Sequence, residues 1–369
     1  MDSLSLVGPK FVPPLDENFR PASLANKNYQ QEVTWGAVPL VIGLERSHGE
    51  LSRFETKIFP EGHPRSGENF HYVERLVKFL LWQRGGYKLY VGSPRSIGEH
   101  IRRCYAPEGT RKFDHQFMGE QVYEQTFTVV VCDVSEVPPE NETGKLLGRH
   151  LDGCRIGFDL GASDRKASAV VNGKVVYSEE VIWEPRVQSD PDYHYREILT
   201  ALATAASKMP RVDAIGGSSA GIYIDNRPMV ASLFRGIPLE RFAEVRDLFH
   251  RIQAEMQVPL EVINDGDVTA LAGSMSLEDN GVLGIAMGSS EAVGYVDLKG
   301  HVKGWLNELA FAPIDYDPQA PIDEWSGDRG CGASYFSQQC VFRLAPRAGI
   351  QIPDALSDAE KLKYVQDML

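Results

Sequence analysis

The chain carries one local pattern twice, and that repeat restricts its fold more than any other feature. An apolar run at residues 155–158 ends in Asp159-Leu160-Gly161-Ala162-Ser163-Asp164-Arg165-Lys166. A second run at 167–171, an Asn172-Gly173 turn and a third run at 174–178 follow. About 125 residues further on, the order returns as a run at 282–287, the loop Gly288-Ser289-Ser290-Glu291, a run at 292–297, the turn Leu298-Lys299-Gly300 and a run at 301–304. Asn-Gly between two β-rich runs signals a two-residue hairpin. A unit of strand, Gly/Ser loop, hairpin and third strand that occurs twice predicts two related lobes facing each other across a cleft. Between the copies, helices are expected at 195–208, 239–256 and 268–276, and strands at 214–217 and 260–263.

The residues before the first copy read differently. Residues 1–35 are polar and contain proline, which predicts an extended arm. Strands are expected at 38–44, 54–59, 87–91 and 127–132. Helices are expected at 96–104 and 68–84, the latter on the three- and four-residue spacing of Val73, Leu76, Val77, Leu80 and Leu81 before Gly85-Gly86. Residues 137–147, with Pro138-Pro139 and several charges, suggest a linker. The expected division is an arm (1–35), an N-terminal α/β domain with linker (36–150), a first lobe (151–278) and a second lobe (279–369) that stops early, as in a fragment of a longer protein.

Charge sharpens that division. The chain has 38 Lys+Arg and 51 Asp+Glu, a net charge of −13. Residues 1–150 hold 18 basic and 19 acidic residues, so nearly all of the net negative charge lies beyond residue 150. Such acidity argues against a general nucleic-acid or anionic-membrane binder. No apolar run approaches the ~20 residues of a membrane span, and the N-terminus lacks a secretory pattern. The five cysteines are dispersed without a CxxC pair, which fits small core residues in a reducing compartment. A cytoplasmic location is expected.

Four elements can carry chemistry. In the first loop, backbone N–H groups near Gly161, the Ser163 hydroxyl and Lys166 can surround an anion, and Asp159 can hold a hydrated Mg2+; a tight hairpin with a solvated acid would look the same. The second loop, with Gly288, Ser289 and Ser290, occupies the matching place, although Glu291 sets a negative charge beside any phosphate. The third is Asn264-Asp265-Gly266-Asp267, at the carboxyl end of a strand, where α/β sheets bind ligands. A carboxylate there can take a proton from a hydroxyl that attacks phosphorus; alternatively the acids only cap the helix, a role that suits Asp267 and leaves Asp265 for another task. The fourth is Glu308, set among apolar residues, a place where a charge is usually paired or functional. The glycine-rich turn Gly327-Asp328-Arg329-Gly330-Cys331-Gly332 reads as a connector.

Over residues 155–345 these elements resemble the sugar-kinase/heat-shock/actin superfamily of ATPases, and within it the ROK family (repressors, open reading frames and sugar kinases). The segments IGGSSAGIYIDN and VPLEVINDGDVTALAG carry the resemblance best. It implies an α/β fold of duplicated ribonuclease H-like (actin-like ATPase) lobes, here preceded by an extra N-terminal α/β domain. It further implies Asp265 as catalytic base, Asn264 and Glu308 as sugar ligands, and phosphate loops at Asp159–Ser163 and Gly288–Ser290. Three departures stand out. The loop DLGASDRK, with Lys166, is closer to glycerol- and xylulose-type kinases. Phe311 replaces the histidine of the Gly-Glu-x-Gly-His pattern. The zinc-binding cysteine cluster is reduced to Cys331-Gly332, so no structural zinc is expected. The first 150 residues show no basic recognition helix, which disfavours a repressor.

The reading that follows is a carbohydrate kinase-like protein of bacterial type. It would use ATP and Mg2+, with a small-molecule sugar as partner, no nucleic-acid or membrane partner, and homo-oligomers expected. Two other readings stand beside it: a sugar- or nucleotide-binding sensor that has lost catalysis, and an assembly protein that oligomerises through its N-terminal part.

Overall fold

The computed structural model describes residues 4–34 and 36–368. Residues 1–3 and Trp35 of the expected arm, and Leu369, lie outside the described residues. The fold is α/β with mixed sheets, in two compact units. One unit comprises residues 1–143, 286–292 and 305–369, and the other residues 144–285 and 293–304. The units therefore do not follow the four sequential domains: the segment from residue 305 onward joins the N-terminal unit.

In that unit, strands β1 (Val38–Glu45), β2 (Leu51–Ile58), β3 (Lys88–Gly92) and β4 (Thr128–Cys132) form a sheet of order β2-β1-β3-β4. β1 runs antiparallel to β2 and β3, and β4 runs parallel to β3. The expected arm contains a helix, α1 (Ala22–Glu32), which buries Ala25 and Tyr29. The Tyr29 hydroxyl donates to Asn69 Oδ1 at 2.6 Å. The rest of the arm is tied down as well: Asp16 pairs with Arg343 (2.7 Å) and Arg347 (2.9 Å), and the Arg20 N–H donates to Asp315 Oδ1. Helix α2 spans Glu68–Arg84, as its periodicity requires, and Gly85 closes it at φ +80°. α3 (Arg95–Cys104) and α4 (Lys112–Gln116) follow.

α2 also carries a buried ionic network that the sequence does not announce. Lys78 is fully buried, with Nζ 3.1 Å from Asp114 Oδ1, and Trp82 Nε1 donates to the same oxygen at 2.6 Å. Asp328, from the turn expected to be only a connector, accepts from Arg75 (2.9 Å) and lies 2.8 Å from Arg111. The cations Arg75, Lys78 and Arg111 meet the anions Glu74, Asp114 and Asp328, so burial leaves no net charge. Phe311 stacks on Trp82 with ring centroids 4.2 Å apart, an apolar role for the position where a histidine would mark the Gly-Glu-x-Gly-His pattern. Helices α9 (Gln338–Leu344) and α10 (Asp358–Met368) follow, packed around Ala345, Ile350 and Val365.

The expected linker is ordered. Glu142 accepts from Trp305 Nε1 at 2.8 Å in the first unit. In the second unit, Gly144–Lys145 forms strand β5.

The second unit holds β6 (Cys154–Leu160), β7 (Asp164–Val171), β8 (Lys174–Ile182), β9 (Ala214–Ser219) and β12 (Leu260–Asn264) in the order β12-β9-β6-β7-β8. β6, β7 and β8 are antiparallel, and β9 and β12 add in parallel, which is the ribonuclease H-like arrangement expected of the first lobe. The turn residues Asn172 (φ +47°) and Gly173 (φ +76°) form the predicted hairpin. A small hairpin, β10 (Ile222–Ile224) with β11 (Arg227–Val230), follows β9. Helix α5 (Pro191–Ala206) packs Ile198 and Leu202 into a core with Phe158, Trp183, Phe234, Phe249 and Ile252. The helix expected over 239–256 is broken into a 3-10 turn at Leu239–Arg241, α6 (Phe242–Arg246) and α7 (Leu248–Met256). α8 spans Asp265–Leu277, three residues earlier than expected.

The second copy of the repeat gives β13 (Val282–Met287), β14 (Glu291–Val296) and β15 (Val302–Lys303), which with β5 form a sheet of order β13-β14-β15-β5. α8 lies tightly on this sheet: a Cβ on Gly294 would collide with Asp267, and one on Gly266 would lie 2.5 Å from the Val293 backbone.

Candidate active site

The parallel register of the second unit brings the candidate residues to one sheet end. Asp159 of β6 lies opposite Ser218 of β9, which lies opposite Ile263 of β12; Leu160, Ser219 and Asn264 form the next row. Asp159, Asn264 and Asp265 thus project from the carboxyl ends of β6 and β12, with β9 between them.

Asn264, and not Asp267, is the N-cap of α8. Its Oδ1 accepts from the Gly266 N–H at 2.7 Å, and its Nδ2 donates to the Gly221 carbonyl at 2.8 Å. The strand therefore passes into the helix without a loop, and Asp267 becomes a buried residue of the first turn. The cap fixes the amide plane and leaves one Oδ1 lone pair and one Nδ2 hydrogen for a ligand.

Asp265 is the first residue of α8. Burial pushes its carboxyl above the ordinary aspartate range; the Gly266 N–H opposes that rise, and the Asp159 carboxylate adds to it. A more basic carboxylate at a strand end suits general-base work.

Two further residues stand beside this pair, inside the quoted IGGSSAGIYIDN segment but unassigned from sequence. Ser219 is fully buried, and its Oγ accepts from the Tyr223 hydroxyl at 2.7 Å. Burial holds that phenol well above its usual range, with the Ser219 bond opposing and Asp265 contributing. Small hydroxyl residues at a strand end were the available signal; the tyrosine reaches them only because β10 turns back beside β12.

The first loop is tied to itself. The Gly161 N–H donates to the Asp164 carbonyl at 2.9 Å, and Trp183 Nε1 donates to the Gly161 carbonyl at 2.9 Å. The Ser163 hydroxyl donates to Asp164 Oδ2 at 2.9 Å. Lys166 Nζ lies 2.9 Å from Asp164 Oδ1 and 3.9 Å from Asp159 Oδ2. Hydrogen bonds to Lys166 and Ser163 hold the Asp164 carboxyl below the usual range, and the Asp164 bond in turn raises Lys166. Asp164 is thus the acceptor that the Ser163 hydroxyl and Lys166 share, and sequence reasoning did not single it out. The Asp159 side chain is half exposed, and as a hard oxygen donor at a strand end it fits a water-mediated Mg2+.

The remaining candidates belong to the other unit. Gly288, Ser289 and Ser290 are exposed; the Gly288 N–H donates to the Ser290 carbonyl, and the Gly288 carbonyl accepts from the Gln338 N–H, both at 2.9 Å. Glu291 is buried, its Oε2 has no hydrogen-bond partner, and burial alone raises its carboxyl to about 7. Glu308 precedes a short 3-10 turn, with its N–H donating to the Trp82 carbonyl at 3.0 Å. The Cys331 thiol is buried and pushed up to about 12 by that burial, against the pull of Lys78. Among the described residues, no three His, Cys, Asp or Glu side chains converge as a metal-ligand set, and no helix is long and apolar enough to cross a membrane.

No protein-family model matches the sequence, and no curated protein matches it. Solved structures do align with the chain. The ROK hexokinase of Thermus thermophilus aligns at 16% identity over 58% of this chain and 69% of its own, with a TM-score of 0.44. A ROK-family transcriptional regulator, a homolog of the E. coli MLC protein, aligns at 19% identity over 55% and 52%, with a TM-score of 0.42. The glucokinase of Parabacteroides distasonis aligns at 14% identity over 56% and 59%, with a TM-score of 0.41. The first two bear the name of the family that the sequence motifs resemble, and they include an enzyme and a regulator.

Proposed function

We propose that this chain is a carbohydrate kinase-like protein that transfers the terminal phosphoryl group of ATP to a sugar hydroxyl. The observation that carries the reading is Asp265: a carboxylate made more basic by burial, at the end of β12, one residue past a helix cap. In this reading Asp265 accepts the proton of the attacking hydroxyl, and Asn264, held rigid by Gly266 and Gly221, orients a neighbouring hydroxyl with its remaining donor and acceptor. Glu308 is proposed as a further sugar ligand. Gly161, Ser163, Lys166, Gly288, Ser289 and Ser290 are proposed around the phosphates, with Lys166 exchanging Asp164 for phosphate oxygen. Bound Mg2+ neutralises charge on the transferring group, and Asp159 is the residue that would hold it through water.

The test is ADP release from Mg–ATP in the presence of a panel of hexoses and amino sugars. Turnover with one sugar that disappears in Asp265→Asn supports the reading. Absence of turnover with every sugar removes it.

A specific observation favours a second reading, a sensor that binds sugar without turnover. Glu291 places a buried carboxyl beside the second loop, and the donors of the first loop are satisfied internally. Calorimetry separates the two: sugar binding indifferent to Mg–ATP favours the sensor.

A further inference from the structure

The N-terminal unit contains a cavity that the proposed chemistry does not use. It has a volume of about 200 Å³ and is lined by residues just past the ends of β2 and β3. β1 runs antiparallel to both strands, so β2 and β3 run the same way, and Ile58 and Gly92 both lie opposite the first half of β1. The first turns of α2 and α3 supply the rest of the lining. The crevice outside the carboxyl ends of strands is where α/β sheets take ligands.

The floor of the cavity is fixed and largely apolar. Phe59, Asn69 and Ile97 are buried. Asn69 clamps the backbone of Phe59: its Oδ1 accepts from the Phe59 N–H at 3.2 Å, and its Nδ2 donates to the Phe59 carbonyl at 2.9 Å. The Phe59 ring is stacked on His63 with centroids 4.4 Å apart and meets Tyr29 edge-on at 5.2 Å. Phe70, edge-on to His100 at 5.0 Å, and Pro94 complete the apolar lining. Walls held in place before a ligand arrives lose little freedom on binding. An apolar cavity of about 150 Å³ admits a benzene ring. This one has room for a single ring and a short substituent.

The rim is polar and acidic. It carries Glu61, Ser66 and Ser96, and the Ser96 hydroxyl donates to Glu61 Oε1 at 2.6 Å. Glu61 Oε2 and the Ser66 hydroxyl remain for a ligand. The arginines nearest in sequence to the lining do not pair with Glu61. Arg65 binds Glu68 with two nitrogens, at 2.6 and 2.8 Å, and pairs with Glu32 as well. Arg95 is 89% exposed, with Nε 3.8 Å from Glu99. The N-terminus of α3 meets Glu61 through Ser96, but a helix end carries only about half a positive charge and does not cancel a carboxylate.

We propose that this cavity binds a small organic ammonium ion, a protonated primary amine carried on a single apolar ring. The ring lies against Phe59, Phe70, Pro94 and Ile97. The ammonium group reaches the rim, where Glu61 Oε2 and the Ser66 hydroxyl accept its hydrogen bonds. An anion would meet the Glu61 carboxylate, and a neutral ring would leave that carboxylate without a counter-charge.

Titration calorimetry on the full chain at neutral pH tests this with three probes of similar size: benzylamine, benzyl alcohol and benzoate. Benzylamine is expected to bind at one site, benzyl alcohol about tenfold more weakly, and benzoate not measurably. Glu61→Gln keeps an acceptor for Ser96 and is expected to bring benzylamine down to the affinity of benzyl alcohol without changing the latter. Ser66→Leu fills the cavity and is expected to abolish binding of both, with unchanged far-UV circular dichroism. Asp265→Asn, in the other unit, is expected to bind benzylamine like the wild type; a loss there would place the amine at the candidate active site and overturn the proposal. Equal affinity for amine and alcohol, preference for benzoate, or no binding of any probe overturns it too. So does a Glu61→Gln protein that binds benzylamine as tightly as the wild type.

Discussion

Lys166 Nζ sits 2.9 Å from Asp164 Oδ1, within the loop proposed to receive the phosphates. On that proposal, nucleotide binding competes with an acid of the same hairpin. Asp164→Asn is expected to tighten Mg–ATP binding roughly two- to five-fold, the scale of an exposed charge pair, and Lys166→Ala to weaken it by a similar factor. Isothermal titration calorimetry measures both. If neither variant changes the affinity, the first loop does not contact phosphate.

Asp265 is expected to dominate the chemical step. Asp265→Asn keeps the helix start, since the cap belongs to Asn264, and is expected to lower kcat by roughly 10²- to 10⁴-fold. A base must be ionised to act, so activity rises with pH through the Asp265 titration. Burial sets that rise above the ordinary aspartate range. A pH–rate profile with its acidic limb at or below the range of a free aspartate would count against Asp265 as the base.

Glu291 makes stability depend on pH in a defined direction. Its ordinary value is 4.5, and burial raises it to about 7 in the folded chain. Between those values the native state holds a proton that the unfolded chain has released. Stability is therefore greatest below about 4.5, falls as pH rises through that window, and levels off above about 7 as far as this group is concerned. Glu291→Gln keeps the side chain neutral and is expected to add about 3 kcal/mol at pH 8 and little at pH 4. Urea unfolding of both proteins at the two pH values checks it, and an equal difference at both would refute the assignment.

Lys78 holds the charge balance of α2. Lys78→Met leaves Asp114 without its buried cation and is expected to cost about 3–5 kcal/mol. Lys78→Met combined with Asp114→Asn is expected to recover part of that loss, because no unpaired charge then remains. A double variant less stable than the single one would show that the network matters for its packing and not for its charge.

Local signals were legible wherever a single segment decides the outcome. The apolar spacing from Val73 to Leu81 and the glycine at 85 delimit α2, and Asn172-Gly173 fixes its hairpin, because periodicity and left-handed backbone are properties of consecutive residues. That Asp265 directly follows a strand was legible for the same reason. The cap was missed: Asp267 and Asn264 are equally good capping types, and the choice depends on where β12 stops, which its pairing with β9 sets through Ser219 and Asn264. The helix within the arm was missed because α1 owes its stability to Tyr29 meeting Asn69, forty residues away.

By itself, the sequence determined the repeat, the hairpins, the acidic character beyond residue 150 and the residue types available at the strand ends. These follow from spacing and side-chain chemistry along one stretch of chain. Only the tertiary structure decided that the segment from residue 305 belongs with the N-terminal unit, that Asp164 pairs with Lys166, that Glu291 Oε2 is buried without a hydrogen-bond partner and that β13 lies at the edge of its sheet. Each of those depends on which distant backbone lies alongside. Burial, charge pairing and edge exposure are properties of neighbours in space, and a sequence lists only neighbours along the chain.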